Sequence, residues 1–161
     1  MTESTDGVPR GRKFVLGCDH AGYEMKDELK RYLAEAGNEV EDLVPEFQGR
    51  IDFPPIAERL GRRVVGADGT HGILVCGTGI GMSMAANKVP GVRAALLYCE
   101  TAAEYASRHN DANVLVFGGR TMTFEQVRSY LETFFRNEFE GGRYAERNAY
   151  LAGMDGACGS R

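Results

Sequence analysis

Tryptophan is absent from the chain, and only four cysteines occur: Cys18, Cys76, Cys99 and Cys158. None forms a Cys-x-x-Cys pair, so the spacing excludes both a disulfide framework and a zinc ribbon. The start, Met1 to Lys13, has no apolar stretch. No secretory signal is therefore expected, and the cysteines read as reduced thiols of a cytoplasmic protein. Basic charge is not in excess, with 19 Lys and Arg against 23 Asp and Glu and a net charge of −4. That argues against a nucleic-acid partner held by bulk charge. Long apolar runs are missing as well. Stretches such as Ala94–Cys99 fall far short of the ~20 residues that span a bilayer, so no membrane partner is expected. There is no internal repeat and no inter-domain linker.

The chain has 161 residues, of which 43% are hydrophobic. That suits one domain with a real core. Glycine is plentiful at 21, where average usage of ~7% would give about 11. The surplus predicts tight turns and close backbone approach to a ligand.

Residues 1–12 read as a flexible tail. Strands are expected at Lys13–Cys18, Glu39–Leu43, His71–Cys76, Val92–Leu97 and Asn113–Phe117. Between them, Met25, Leu29, Tyr32, Leu33 and Ala36 recur at helical spacing, as do Ile56, Ala57, Leu60 and Val64 after Asp52-Phe53-Pro54-Pro55. A helical stretch, Met82–Lys88, follows the third strand. Thr101 with Glu104, and Thr123 with Gln126, read as capping boxes for two more helices. The first of these helices ends near His109. The second carries Phe124, Val127, Tyr130, Leu131, Phe134 and Phe135. A last helix follows Gly141-Gly142, and Gly153–Arg161 reads as a loose end. Five strand–helix alternations imply parallel strands with right-handed crossovers, an α/β three-layer αβα sandwich around a five-stranded sheet. Ligands of such sheets bind beyond the carboxyl ends of the strands. There the sequence places Cys18-Asp19-His20, Cys76 with its glycine loop, and Gly118-Gly119-Arg120.

Gly77, Gly79 and Gly81 stand where a strand turns into a helix. Backbone N–H groups in such a turn converge on an anion, a phosphate or an oxyanion formed in reaction. The run is neither a dinucleotide fingerprint, since Met82 stands where glycine is needed, nor a Walker loop. A tight connection without a ligand is the plainer reading. Cys76 lies at the mouth of the loop. A lone cysteine is more often a small buried hydrophobe, but a helix N-terminus favours the thiolate that acts as base or nucleophile. His20 could equally cap the next helix, and His109-Asn110-Asp111 could be an ordinary polar helix end. Arg143 and Arg147 share one helical face, either a solvated surface or a phosphate clamp. His71 falls at the wrong end of its strand for this site. Cys18, Asp19, His20, Cys76 and His109 have the ligand types of a metal site but no metal-binding spacing.

Four segments together carry a resemblance. They are Gly17-Cys18-Asp19-His20-Ala21-Gly22, Cys76–Ser83 with Ala85-Ala86-Asn87-Lys88, Arg108–Val114, and Gly141-Gly142-Arg143 with Arg147. In this order, across residues 13–152, they resemble type B ribose-5-phosphate isomerase and its wider family, which includes galactose-6-phosphate isomerase subunits. The resemblance implies a Rossmann-like domain at 13–152, no metal and no cofactor, and a homodimer or homotetramer whose pocket is shared between subunits. It implies that Cys76 moves a proton between carbons 1 and 2 of an aldose phosphate. Thr78 and His109, with Asp19 beside them, would assist ring opening. Asn110 and the amides of Gly77, Gly79, Gly81, Met82 and Ser83 would hold the enediolate. His20, Arg120, Arg143 and Arg147 would bind the phosphate, with His109, Asn110, Arg143 and Arg147 drawn from the neighbouring chain. Phe53 departs from the pattern, since the family commonly has tyrosine there, which bears on the sugar accepted. The loop Val44–Arg50 matches no motif. Isomerisation of ribose 5-phosphate is the expected activity. Another four- to six-carbon sugar phosphate, or non-catalytic sugar-phosphate binding, are the alternatives.

Overall fold

The computed structural model describes residues 7–156. Five strands alternate with helices: β1 (Lys13–Cys18), α1 (Tyr23–Glu35), β2 (Glu39–Asp42), α2 (Phe53–Val65), β3 (Thr70–Cys76), α3 (Ile80–Ala86), β4 (Ala94–Leu96), α4 (Glu100–Arg108), β5 (Val114–Gly118), α5 (Phe124–Arg136) and α6 (Arg143–Met154). The strands form one all-parallel sheet in the order β2-β1-β3-β5-β4. Helices α1, α4 and α5 pack on one another over one face, and α2 with α3 over the other, as right-handed crossovers in that strand order require. The result is the expected three-layer α/β fold.

The three inner strands are apolar because both of their faces are covered. Phe14, Leu16, Ile73, Leu74, Val114, Leu115 and Phe117 are all nearly or wholly buried. The edge strands are polar or half-buried, alternating in β2 and shallow throughout in β4. Helix α5 buries Val127, Leu131, Phe134 and Phe135 from the stripe read in the sequence, and the Thr123–Gln126 capping box is formed from both sides.

Three expectations change. Thr101 and Glu104 do not cap α4. That helix begins one residue before Thr101, so Cys99 is the cap, its Sγ accepting the Ala102 N–H at 3.4 Å, while Glu104 pairs with Arg108. Helix α3 starts at Ile80, two residues ahead of the expected start, since Gly79 already supplies the left-handed turn with φ +81°. The expected tails are partly ordered. Val8 is buried, Gly11 N–H bonds Gly37 O at 3.1 Å, and α6 runs to Met154, where Asp155 accepts the Gly91 N–H at 2.7 Å. Residues 157–161, including Cys158, lie outside the described residues.

Lys26 was not anticipated inside. Its side chain is fully buried, and Nζ donates to Asp27 at 2.6 Å, Asp42 at 2.8 Å and Val44 O at 2.9 Å. Burial works against the charged carboxylate of Asp42. The hydrogen bonds from Lys26, the Val44 N–H and Lys30 outweigh it and hold that carboxyl below its usual range. The cluster fixes the start of the 44–50 loop. Tyr23 adds a hydroxyl to Pro45 O and an edge contact with Phe47.

Candidate active site

The chain reverses its direction of travel across the sheet between β1 and β3, and the crevice of such a sheet opens at that point. The register pairs Cys18 with Val75 and Cys76 with Gly118. Three loops therefore meet there: Asp19–Gly22, Gly77–Gly79 and Gly119–Thr121. Their backbones are tied together. Asp19 N–H bonds Val75 O at 3.2 Å, Gly119 N–H bonds Cys76 O at 2.7 Å, and Arg120 N–H bonds Gly77 O at 2.9 Å.

Cys76 ends β3 with its thiol 3.1 Å from the N–H of Gly79, which donates to Sγ. Gly79 must be glycine here, because its φ is +81° and a Cβ would stand 2.5 Å from Leu96. The first N–H groups of a helix have no carbonyl one turn back. Gly79 gives its N–H to Cys76, Ile80 gives its own to Thr78 Oγ1 at 3.3 Å, and Ser83 bonds Gly79 O at 3.0 Å. The N–H groups of Gly77, Thr78, Gly81 and Met82 have no protein acceptor among the described residues. Of the amides from Gly77 to Ser83, those of Gly79, Ile80 and Ser83 are thus engaged within the chain. The Met82 side chain is wholly buried in the core, so only its amide can serve a ligand.

Asp19 is nearly buried. One carboxylate oxygen accepts the Ala21 and Gly22 N–H groups at 2.9 and 3.0 Å, which shapes the turn into α1. His20 is exposed and directs Nδ1 at Ile51 O, 3.3 Å away. Thr78 is exposed, and the Arg120 guanidinium lies beside Gly77. Cys76 and Cys18 are both buried, Cys76 at 5% exposed and Cys18 at 0%. Burial pushes the Cys18 thiol up to about 12, which leaves it inert.

The remaining expected residues lie elsewhere. Helix α4 starts at the carboxyl end of the sheet and runs back, its nine residues spanning about 14 Å. His109 caps its far end, close to Asn113, whose carbonyl bonds the Gly72 N–H near the start of β3. His109 and Cys76 are therefore at opposite ends of the sheet. Around His109 a second cluster forms. Its imidazole is stacked between Tyr105, at 4.4 Å and 16°, and Tyr144, at 3.9 Å and 10°. Glu140 lies 3.9 Å from Nε2 and also holds Arg108. The guanidinium carbons of Arg143 and Arg147 lie 4.9 and 5.5 Å from the Tyr144 ring centre. Asn110 is exposed, and its carbonyl accepts from Asn148 at 3.1 Å. His109, Asn110, Tyr144 and Arg147 line an open cavity of about 440 Å³.

Tyr105, Tyr144 and Glu140 were missed in the sequence. Tyr105 and His109 stand four apart on a helix, a spacing that could have revealed the stack. The alternative cation site from Cys18, Asp19, His20, Cys76 and His109 does not assemble, and no three such side chains converge among the described residues. Nor, among those residues, is any helix long and apolar enough to cross a membrane.

A parallel α/β sheet with a cysteine and open amides at its switch point, and a separate histidine–arginine cluster, offers N–H and guanidinium donors suited to a small anion. Residues 14–151 match the family model described as Ribose/Galactose Isomerase. The chain is 38% identical to ribose-5-phosphate isomerase B of Escherichia coli over 136 residues, 84% of this chain and 91% of that protein. The Clostridium thermocellum ribose-5-phosphate isomerase B structure superposes with TM-score 0.86 at 36% identity, covering 89% of this chain and 97% of that one. The Mycoplasma genitalium enzyme, solved with bound ribulose-5-phosphate, gives 0.85 at 34% identity over 91% and 97%. The chain belongs to the ribose/galactose isomerase family, and its activity class is that of an isomerase, an intramolecular oxidoreductase.

Proposed function

We propose that the chain interconverts D-ribose 5-phosphate and D-ribulose 5-phosphate, with Cys76 as the proton carrier. The observation that carries this reading is the Cys76 thiol, held 3.1 Å from the Gly79 amide beside a row of open N–H groups. The names of the relatives, and the ribulose-5-phosphate bound to the Mycoplasma genitalium enzyme, support the substrate.

The chemistry needs three things: a group to open the sugar ring, a base for the proton alpha to the carbonyl, and donors for the oxygen that becomes negative. Thr78 and His109, with Asp19 nearby, serve ring opening. The Cys76 thiolate takes the proton from carbon 2 and returns it to carbon 1. Meanwhile the carbonyl moves from carbon 1 to carbon 2 through an enediolate, the proton of the carbon-2 hydroxyl passing to the carbon-1 oxygen. The amides of Gly77, Thr78, Gly81 and Met82, with Asn110, hold that intermediate. One well-placed donor of this kind is worth ~3–4 kcal/mol of barrier. His20, Arg120, Arg143 and Arg147 grip the phosphate, and that remote binding energy positions the reacting carbons.

His109, Asn110, Arg143 and Arg147 lie across the sheet from the Cys76 of their own chain, so a complete site needs a second copy. A homodimer, or a tetramer built from it, in which each cluster meets the other chain's Cys76 satisfies this. A reduced Cys76 suits the cytoplasm.

Cys76→Ala is expected to abolish turnover while ribose 5-phosphate still binds by calorimetry. Wild-type turnover in that variant removes Cys76 from the mechanism. A panel of four- to six-carbon aldose phosphates identifies the preferred sugar. Failure of the wild type to convert to its ketose any aldose phosphate that binds would leave a binding protein without catalysis.

A further inference from the structure

We infer that Tyr144 is a positioning residue that sets two working groups at once, the plane of the His109 imidazole and the direction of the Arg143 guanidinium. The inference rests on the roles proposed above for His109 and Arg143.

Helix α6 buries none of its residues, so packing against the body does not fix where its side chains point. Its attachment is polar and local: Asn148 to Asn110 O at 3.1 Å, and Asp155 to the Gly91 N–H at 2.7 Å. Tyr144 sits in the first turn of this helix and is half-buried, while Arg143 and Arg147 beside it are exposed. Its ring lies 3.9 Å from the His109 ring and within 10° of parallel. Tyr105 covers the other face of the same imidazole at 4.4 Å. With both faces covered, the imidazole can present only its edge, which carries the two nitrogens. Contact at one edge is already made, with Glu140 3.9 Å from Nε2.

The hydroxyl of the same tyrosine accepts a hydrogen bond from Arg143 Nη2 at 2.9 Å. That bond holds a long, exposed side chain that would otherwise sample many rotamers. The ring and the hydroxyl thus have separable tasks. The ring orients an acid–base group, and the hydroxyl orients an anion ligand. Tyr144 touches neither reacting carbon in this scheme. It acts through its neighbours, so its loss divides between kcat and KM according to which part is removed.

The test uses the full-length protein with ribose 5-phosphate. Tyr144→Phe keeps the stack and loses the hydroxyl. Its KM should rise about tenfold, the scale of one hydrogen bond to a charged group, with kcat within about twofold of wild type. Tyr144→Ala loses both, so kcat should fall at least about tenfold in addition and the acid–base limbs of its kcat–pH profile should move. Tyr144 is only half-buried, so melting temperatures should stay close to wild type, and assays are run at concentrations where all variants elute at the wild-type mass. His109→Asn and Arg143→Ala serve as controls. If they leave kcat and KM unchanged, the roles of those two residues are wrong. If they respond and the Phe and Ala variants of Tyr144 behave alike, or Tyr144→Ala keeps wild-type kcat and pH profile, Tyr144 has no positioning role.

Discussion

The ring of Phe53 lies against the backbone of Gly81, where a Cβ would stand only 2.9 Å from the ring tip. An apolar wall therefore borders the amide loop that follows Cys76. Phe53→Tyr would place a hydroxyl at that border. Because sites discriminate strongly through paired hydroxyls, the ratio of kcat/KM between five- and six-carbon aldose phosphates should change by about tenfold or more. The panel assay measures this, and an unchanged ratio takes Phe53 out of substrate choice.

Lys26→Met would leave the Asp42 carboxylate, itself 4% exposed, without its buried partner. Breaking a buried pair from one side costs about 3–5 kcal/mol, and since Lys30 still reaches Asp42 at 3.0 Å the loss should fall below that range, recorded by urea unfolding as a lower midpoint. Adding Asp42→Leu should restore much of the loss, since replacing both partners removes the stranded charge. If the double variant is as weak as the single one, the pair does not act as a unit.

Acid should destabilise the protein through His71. Packed among Phe14, Phe134 and Phe135, its imidazole is pushed down to about 4 by burial, with Arg12 adding to the effect. The unfolded chain protonates the same group near 6.5. Stability is then full above that pH and falls as acid is added through the window down to about 4. The loss is at most about 3.5 kcal/mol at ~1.4 kcal/mol per unit. His71→Phe should flatten this limb in denaturation curves taken from pH 7 to 4. An identical slope in the variant would assign the loss to other groups.

A shared site predicts rescue between dead subunits. Cys76→Ala and His109→Ala homodimers should each be inactive. After mixed refolding, half the dimers are hybrid, and each hybrid has one intact site, so about a quarter of wild-type activity should return. No recovery, with hybrids present by mass spectrometry, would mean that each chain works alone.

The sheet and the carboxyl-end loops were legible because apolar runs such as Phe14–Cys18 and Ile73–Cys76 are long enough for buried strands, and the turn glycines mark where each ends. The α5 stripe was equally plain. Cys99 was not, because a cysteine seldom caps a helix, and Thr101 with Glu104 offered a more familiar pattern two residues too late. Lys26 was hidden for a similar reason. Nothing local in a helix says that a lysine will meet two aspartates and a carbonyl, one of those aspartates sixteen residues on. The placement of Cys76 and His109 at opposite ends of the sheet follows from the direction of α4, which the order of elements already contains. The Tyr105–His109–Tyr144 stack joins α4 to α6 and depends on a tertiary approach that no periodicity reports.

Strand β5 is made after β4 but takes its place between β3 and β4, and among the described residues β4 pairs with β5 alone. A nascent chain that has emerged only as far as residue 110 can pair β1, β2 and β3, yet must leave β4 waiting with no neighbour. The insertion of β5 closes that gap and, in the same event, delivers Gly118, Gly119 and Arg120 against Cys76 and Gly77. Completion of the sheet and assembly of the loops around Cys76 are then one step of folding, so a chain truncated before β5 would lack both.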